Sequence, residues 1–198
     1  MAERNQTRVR PGRAPHRRSD EARIAVLHAT DDLLAERGYR GLTIEGIATR
    51  AGVAKQTIYR WWPSKIDILL DVLQDDAGAI EVPATGSTIA DVRDHLRKLA
   101  RFLTKDPAGR VLLTLLGESQ QDPAVAEIFA ERWQKAQRKA ERDLLRRVAG
   151  SGEIEDPIDP EATLDALYGP VYYRAMTGRP VTRGFVDGLV VRILTGPR

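Results

Sequence analysis

The stretch Thr43–Lys65, TIEGIATRAGVAKQTIYRWWPSK, constrains the fold of this chain more than any other. Apolar residues fall at Ile44, Ile47 and Ala48, then Val53, then Ile58 and one of Trp61 and Trp62. This pattern predicts two short helices with a shared core face. Between them lies Ala51-Gly52-Val53, where glycine suits a turn of positive φ that a Cβ would disfavour. Ala48, one helical turn earlier, is small enough for the second helix to pack close. Two short helices joined in this way form a helix-turn-helix, which lays its second helix in the major groove of DNA.

The charge distribution points the same way. Residues 1–65 hold 13 Lys/Arg against 7 Asp/Glu, whereas residues 66–198 hold 18 against 21. The net charge of +3 is therefore positive at the front and mildly negative behind. A basic segment on an acidic body suits a polyanion at the front, although a solvated basic tail would have the same composition. The 198 residues contain no cysteine, which excludes disulfides, thiolate metal sites and cysteine nucleophiles and fits a cytoplasmic setting. No apolar run approaches the roughly 18–20 residues of a membrane span.

In chain order, residues 1–18 carry six arginines and little that can be buried, and read as a disordered basic arm, either solubilising or reaching along DNA. Ser19-Asp20-Glu21 looks like a helix start, and Gly38 like its stop. Thr43 is a good N-cap for the next helix. Ser64 with Asp67 resembles a capping box, opening a helix from Lys65 to about Asp76. Residues 77–88 read as a loop. Helical periodicity then covers about 88–104, 109–119, 122–148, 160–177 and 182–194, with no strand-period segment. The expected class is all-α with about nine helices. An arm (1–18) precedes a three-helix helix-turn-helix DNA-binding domain (19–64) and a larger helical ligand-binding and dimerisation domain (65–198).

Residues 20–75 resemble the head of TetR-family transcriptional regulators. The likeness rests on a capped first helix, the Ala48/Gly52/Ile58 spacing, Thr57 with Tyr59, and the exit Pro63-Ser64-Lys65. Trp61-Trp62 departs from the family pattern, where a His-Phe pair or similar is frequent. Further on, Tyr168-Gly169-Pro170 and Gly178-Arg179-Pro180 resemble the penultimate helix of many members. The resemblance implies a two-fold homodimer on a palindromic double-stranded DNA operator. It also implies an inducer cavity in each body, dimer contacts through the last two helices, and repression as the default. Activation, dual regulation or an architectural DNA-binding role are the alternatives.

Within the head, Thr43 and Thr57 near helix N-termini are candidates for phosphate, as are Tyr59 and Trp61 with one donor each on a flat apolar body. Lys65 is expected to add a charge contact. Lys55 and Gln56, at the tip of the recognition helix, can read guanine and adenine edges respectively. Arg60 can serve either task. Of the two tryptophans, Trp62 is the one expected in the core.

For the body, Leu99, Phe102, Leu103, Leu112, Leu115, Leu116, Phe129, Trp133 and Tyr172 are candidate walls of a cavity for a hydrophobic or aromatic small molecule. Thr114, Glu118, Gln120 and His95 are candidate polar partners. Leu167, Val171, Ala175, Phe185, Leu189 and Ile193 are expected to form a four-helix dimer contact. The histidines His16, His28 and His95 lack metal-ligand spacing, and no phosphate loop or nucleophile motif is present, so neither cofactor, metal nor catalytic residue is expected.

Overall fold

A computed structural model of the chain describes residues 15–82, 89–154 and 159–196. These residues hold helices α1 (Pro15–Gly41), α2 (Ile44–Ala51), α3 (Lys55–Trp61), α4 (Lys65–Asp75), α5 (Ile89–Lys105) and α6 (Pro107–Glu118). They continue with α7 (Pro123–Phe129), α8 (Lys135–Gly150), α9 (Pro160–Met176) and α10 (Arg183–Leu194). A 3-10 turn, Ala77–Ile80, follows α4, and a π turn, Ala130–Gln134, joins α7 to α8 without a break. The described residues thus form nine helical rods, and none is long and apolar enough to cross a membrane.

Most boundaries follow local chemistry. Three helices start at an aspartate followed by proline: Asp106, Asp122 and Asp159 accept from the backbone N–H groups of Ala108, Ala124 and Ala162 at 3.1, 2.9 and 3.0 Å. Proline at the next position loses only an N–H that would have lacked a partner. Glu153, far along the chain, caps α5 by accepting from Ile89 N–H at 2.9 Å. Two expectations shift. Helix α1 begins at Pro15, not Ser19, so the last four residues of the expected arm form its first turn; residues 1–14 lie outside the described ones. Its α-helical geometry breaks at Gly38 (φ 66°, ψ 177°), and a last short turn carries on to Gly41.

The core is continuous. Ile47 and Ile58 in the head, Ile68 and Leu70 on α4, and Leu96, Phe102 and Leu144 in the body belong to one buried cluster. Helix α4 packs on both α1 and α6, so the boundary placed after residue 64 runs through a shared core. Burying six apolar residues on α4 (Ile66, Ile68, Leu69, Leu70, Val72, Leu73) at about 1.5–3 kcal/mol each holds head to body. Helices α5 and α6 approach closely at Gly109, where a Cβ would fall 2.0 Å from the Phe102 carbonyl oxygen, so only glycine fits.

Candidate nucleic-acid interface and effector cavity

The reading head is built from short-range rules. Thr43 is extended and its Oγ1 accepts from Gly46 N–H at 3.0 Å, starting α2. Gly52 ends it in the left-handed region (φ 66°, ψ 31°), and Val53 N–H returns to the Ala48 carbonyl at 3.1 Å. Arg50 bonds Glu36 through both guanidinium ends at 2.9 and 2.7 Å, fixing α2 against α1.

Helix α3 buries Ile58 completely and turns Lys55, Gln56, Tyr59 and Arg60 outward. Tyr59 is 51% exposed, unusual for a large ring without a partner surface. Thr57 and Trp61 are half-buried. Trp62 is buried, stands edge-on to Trp61 with ring centroids 5.4 Å apart, and donates from Nε1 to Asp71 at 2.9 Å. Arg60 lies over the Trp61 ring at 5.3 Å.

Lys55 has a partner within the head itself. Its Nζ lies 2.7 Å from Glu45 Oε1 on α2. The hydrogen bond lowers the Glu45 carboxyl and raises the Lys55 ammonium from their ordinary values. Lys65 also has a structural role within the head. Its Nζ donates to the carbonyls of Tyr39 and Leu42 at 3.0 and 3.3 Å and sits 3.7 Å above the Tyr39 ring. Burial lowers its pKa. It closes the end of α1 with two of its three N–H donors.

The body contains a cavity of about 360 Å³ between α6, the α7–α8 rod and α9. Its apolar walls are Leu112, Leu116, Phe129, Trp133 and Met176, with Tyr168 and Tyr172 alongside. Its polar side is Gln134, Gln137, Arg138, Glu141 and Asp165. Five of the nine sequence-expected wall residues are here. Leu99, Phe102, Leu103 and Leu115 are buried in the core and do not line this cavity. Thr114, Glu118 and Gln120 do not line it either. His95 is fully buried behind Tyr168, ring centroids 5.7 Å apart, and burial lowers its pKa to about 4, so it is neutral.

Gln137, Arg138 and Glu141 were not expected. Trp133, Gln137 and Glu141 recur every four residues, and a continuous α-helix drifts about 40° at each such step. The π turn holds one more residue than an α turn and takes back part of that drift. The strict four-residue spacing from Val125 through Phe129 and Trp133 was the signal available in the sequence.

Of the expected dimer residues, Leu167 and Val171 are buried within the subunit, 1% and 0% exposed, because they face α5 and the core. Ala175, Phe185, Leu189 and Ile193 are half-buried, and Tyr173, Met176 and Val191 on the same two helices are exposed.

The chain matches known proteins along most of its length. Residues 26–72 match the family described as bacterial regulatory proteins, tetR family, and residues 82–193 match the tetracyclin repressor-like C-terminal domain. Over 181 residues the chain is 36% identical to the uncharacterized HTH-type transcriptional regulator YdeS of Bacillus subtilis (strain 168), spanning 90% of this chain and 91% of that one. The HTH-type transcriptional regulator AqdR of Rhodococcus erythropolis is 27% identical over 88% of this chain and 84% of its own. The solved TetR family transcription regulator SCO0332 superposes with a TM-score of 0.71 at 34% identity, covering 90% and 99% of the two chains. FadR from Bacillus subtilis, solved with stearoyl-CoA, shares the fold with a TM-score of 0.69 at 21% identity, over 88% and 99%. These relatives are DNA-binding regulators rather than enzymes, and with the helix-turn-helix geometry above they establish that the chain belongs to the TetR family of transcriptional regulators.

Proposed function

We propose that the protein is a repressor that binds a palindromic operator as a two-fold dimer and is released by a small, largely apolar or aromatic ligand. Lys55 and Gln56 choose the sequence, Thr43, Thr57, Tyr59 and Trp61 grip the backbone, and Arg60 serves either task. The dimer forms on the outer face of α9 and α10, where Tyr173 and Val191 are exposed.

The observation that carries ligand release is a shared wall. Trp133 lines the cavity, and its neighbour Arg132 bonds Asp67 and Asp71 on α4 at 2.7 and 3.1 Å. Helix α4 leads directly out of the recognition helix through Ser64. A ligand that favours one placement of the π turn biases the placement of α4, and so the separation of the two heads. That FadR from Bacillus subtilis was solved with stearoyl-CoA supports a ligand site in a body of this fold.

The test is fluorescence anisotropy with the palindrome flanking the protein's own gene against a random duplex of equal length. Preference for the palindrome of about 10³-fold or more is expected. Equal affinity for both would replace the reading with an architectural one. Light scattering should show two chains per particle, and a monomer at micromolar concentration would overturn the dimer.

A further inference from the structure

The polar side of the cavity is not neutral. Arg138 is its cation, and that guanidinium is already committed: Nε donates to Glu161 at 3.0 Å, and Nη2 bonds Asp165. Both acids belong to α9, so Arg138 clamps α8 to α9. Its remaining nitrogen, Nη1, makes a long ion pair with Glu141 Oε2 at 3.6 Å. Arg142, one turn on, is taken by Glu161 as well.

Glu141 is left under-satisfied. Its side chain is 6% exposed, and a carboxylate can accept about four hydrogen bonds. Among the described residues, its hydrogen-bond donor is the amide of Gln137, at 3.2 Å. Beside it stand the rings of Tyr168 and Tyr172, with Trp133 two turns back on the same rod. The lining therefore has one cation, Arg138, shared among several acids, and of its two acids Asp165 is exposed while Glu141 is buried beside aromatic faces.

A buried carboxylate with spare lone pairs favours a positive charge from the ligand. Tryptophan and tyrosine rings favour the same sign through their negative faces. An anionic headgroup would meet Glu141 and Asp165 with no free guanidinium to receive it. We infer that the cavity selects an organic cation, with a positively charged nitrogen or phosphorus centre at Glu141 beside Tyr168 and Tyr172, and an apolar body against Trp133, Leu112 and Phe129. The inference rests on the reading of this cavity as the effector site and names the chemical class of its ligand.

Burial supports it independently. It pushes the Glu141 carboxyl up to about 7 despite Gln137 and Arg138, which pull it down. Burial disfavours the charged form, and a bound cation would favour it.

The test uses the full chain in calorimetric titrations at pH 8 with tetraphenylphosphonium, tetraphenylborate and neutral triphenylphosphine oxide. The two ions are near-isosteric and opposite in sign. Tetraphenylphosphonium is expected to bind at least about tenfold more tightly than tetraphenylborate. Glu141→Gln should remove about tenfold or more of the phosphonium affinity and leave the oxide unchanged. Equal or tighter binding of the borate, or an undiminished phosphonium affinity in Glu141→Gln, would overturn the inference. Binding of the oxide, with quenching of Trp133 fluorescence but no preference between the ions, would sink the cation while leaving the cavity as an effector site. If none of the three binds, the effector reading of the cavity falls, and the inference with it. The comparison of ions on the unaltered chain does not depend on how the variant folds.

Discussion

Arg132 and Asp71 meet across the seam between body and head: guanidinium Nη2 lies 3.1 Å from Oδ1, while the other oxygen of the same carboxylate accepts from Trp62 Nε1 at 2.9 Å. Arg23 of α1 also approaches Asp71, at 3.5 Å. One carboxylate thus gathers the first helix, the end of the recognition helix and the cavity's π turn. A double-mutant cycle of Arg132→Ala and Asp71→Asn, read by urea unfolding, is expected to give a coupling of about 0.5–2 kcal/mol. Strict additivity would show that the two sites are energetically separate.

Glu45 and Lys55 set a different expectation. Their contact holds the lysine charge on α2 when no DNA is bound. Glu45→Gln should raise affinity for operator and random duplex alike and steepen the salt dependence by about one counterion. Lys55→Ala should instead change base preference by about 1–3 kcal/mol at one position. Salt-titrated anisotropy on both variants separates the two effects.

Lys65→Ala should act on folding before it acts on DNA. It leaves the Tyr39 and Leu42 carbonyls without their charged donor, at a cost of about 2 kcal/mol. Urea unfolding of the variant, beside its operator affinity measured well below the transition, checks this. An unchanged midpoint with weakened DNA binding would restore Lys65 as a phosphate contact.

Gly109→Ala should destabilise by about 3 kcal/mol or prevent folding, because the added carbon meets backbone rather than a movable side chain. A thermal midpoint within 2 °C of the parent would contradict the close approach of α5 and α6.

Glu141 predicts a slope of stability with pH. Its folded-state pKa is raised from 4.5 to about 7, so the folded chain holds that proton more tightly than the unfolded one. The contribution is complete below about pH 4.5 and is lost as pH climbs through about 7. The surrounding groups are Gln137 and Arg138 on α8, Asp165, Tyr168 and Tyr172 on α9, and His95 on α5 behind Tyr168. His95 stays neutral throughout, and burial raises both tyrosines. Glu141→Gln should flatten the fall seen between pH 5 and pH 8 in urea titrations.

The head was legible because its rules are local. Thr43 caps three residues ahead, Gly52 turns where only glycine is comfortable, and Asp67 receives both the N–H and the O–H of Ser64. The body was legible as helices but not as a cavity. Whether Leu115 or Leu116 faces the cavity depends on how α6 packs against α5 and α4, and periodicity is silent about that. The structural bonds of Lys65 were not legible because its carbonyl partners lie more than 20 residues back. Leu167 and Val171 misled for the same reason: an apolar stripe does not say whether its cover comes from the same chain or another.

The π turn at Ala130–Gln134 makes the cavity sensitive to chain length as well as to residue identity. Deleting one residue there would convert it to an ordinary α turn and leave everything downstream nearly in phase, because the π turn already holds the extra residue, whereas a deletion within α8 would rotate everything beyond it by about 100° about the rod. A deletion beyond the turn, at Ala136, would swing Glu141 and Gln137 off the cavity wall and bring other side chains of α8 into their place, while the hydrophobic spacing upstream stayed intact. Within such a scaffold, a single-codon insertion or deletion can rewrite which molecules the pocket accepts without altering any residue that touches DNA.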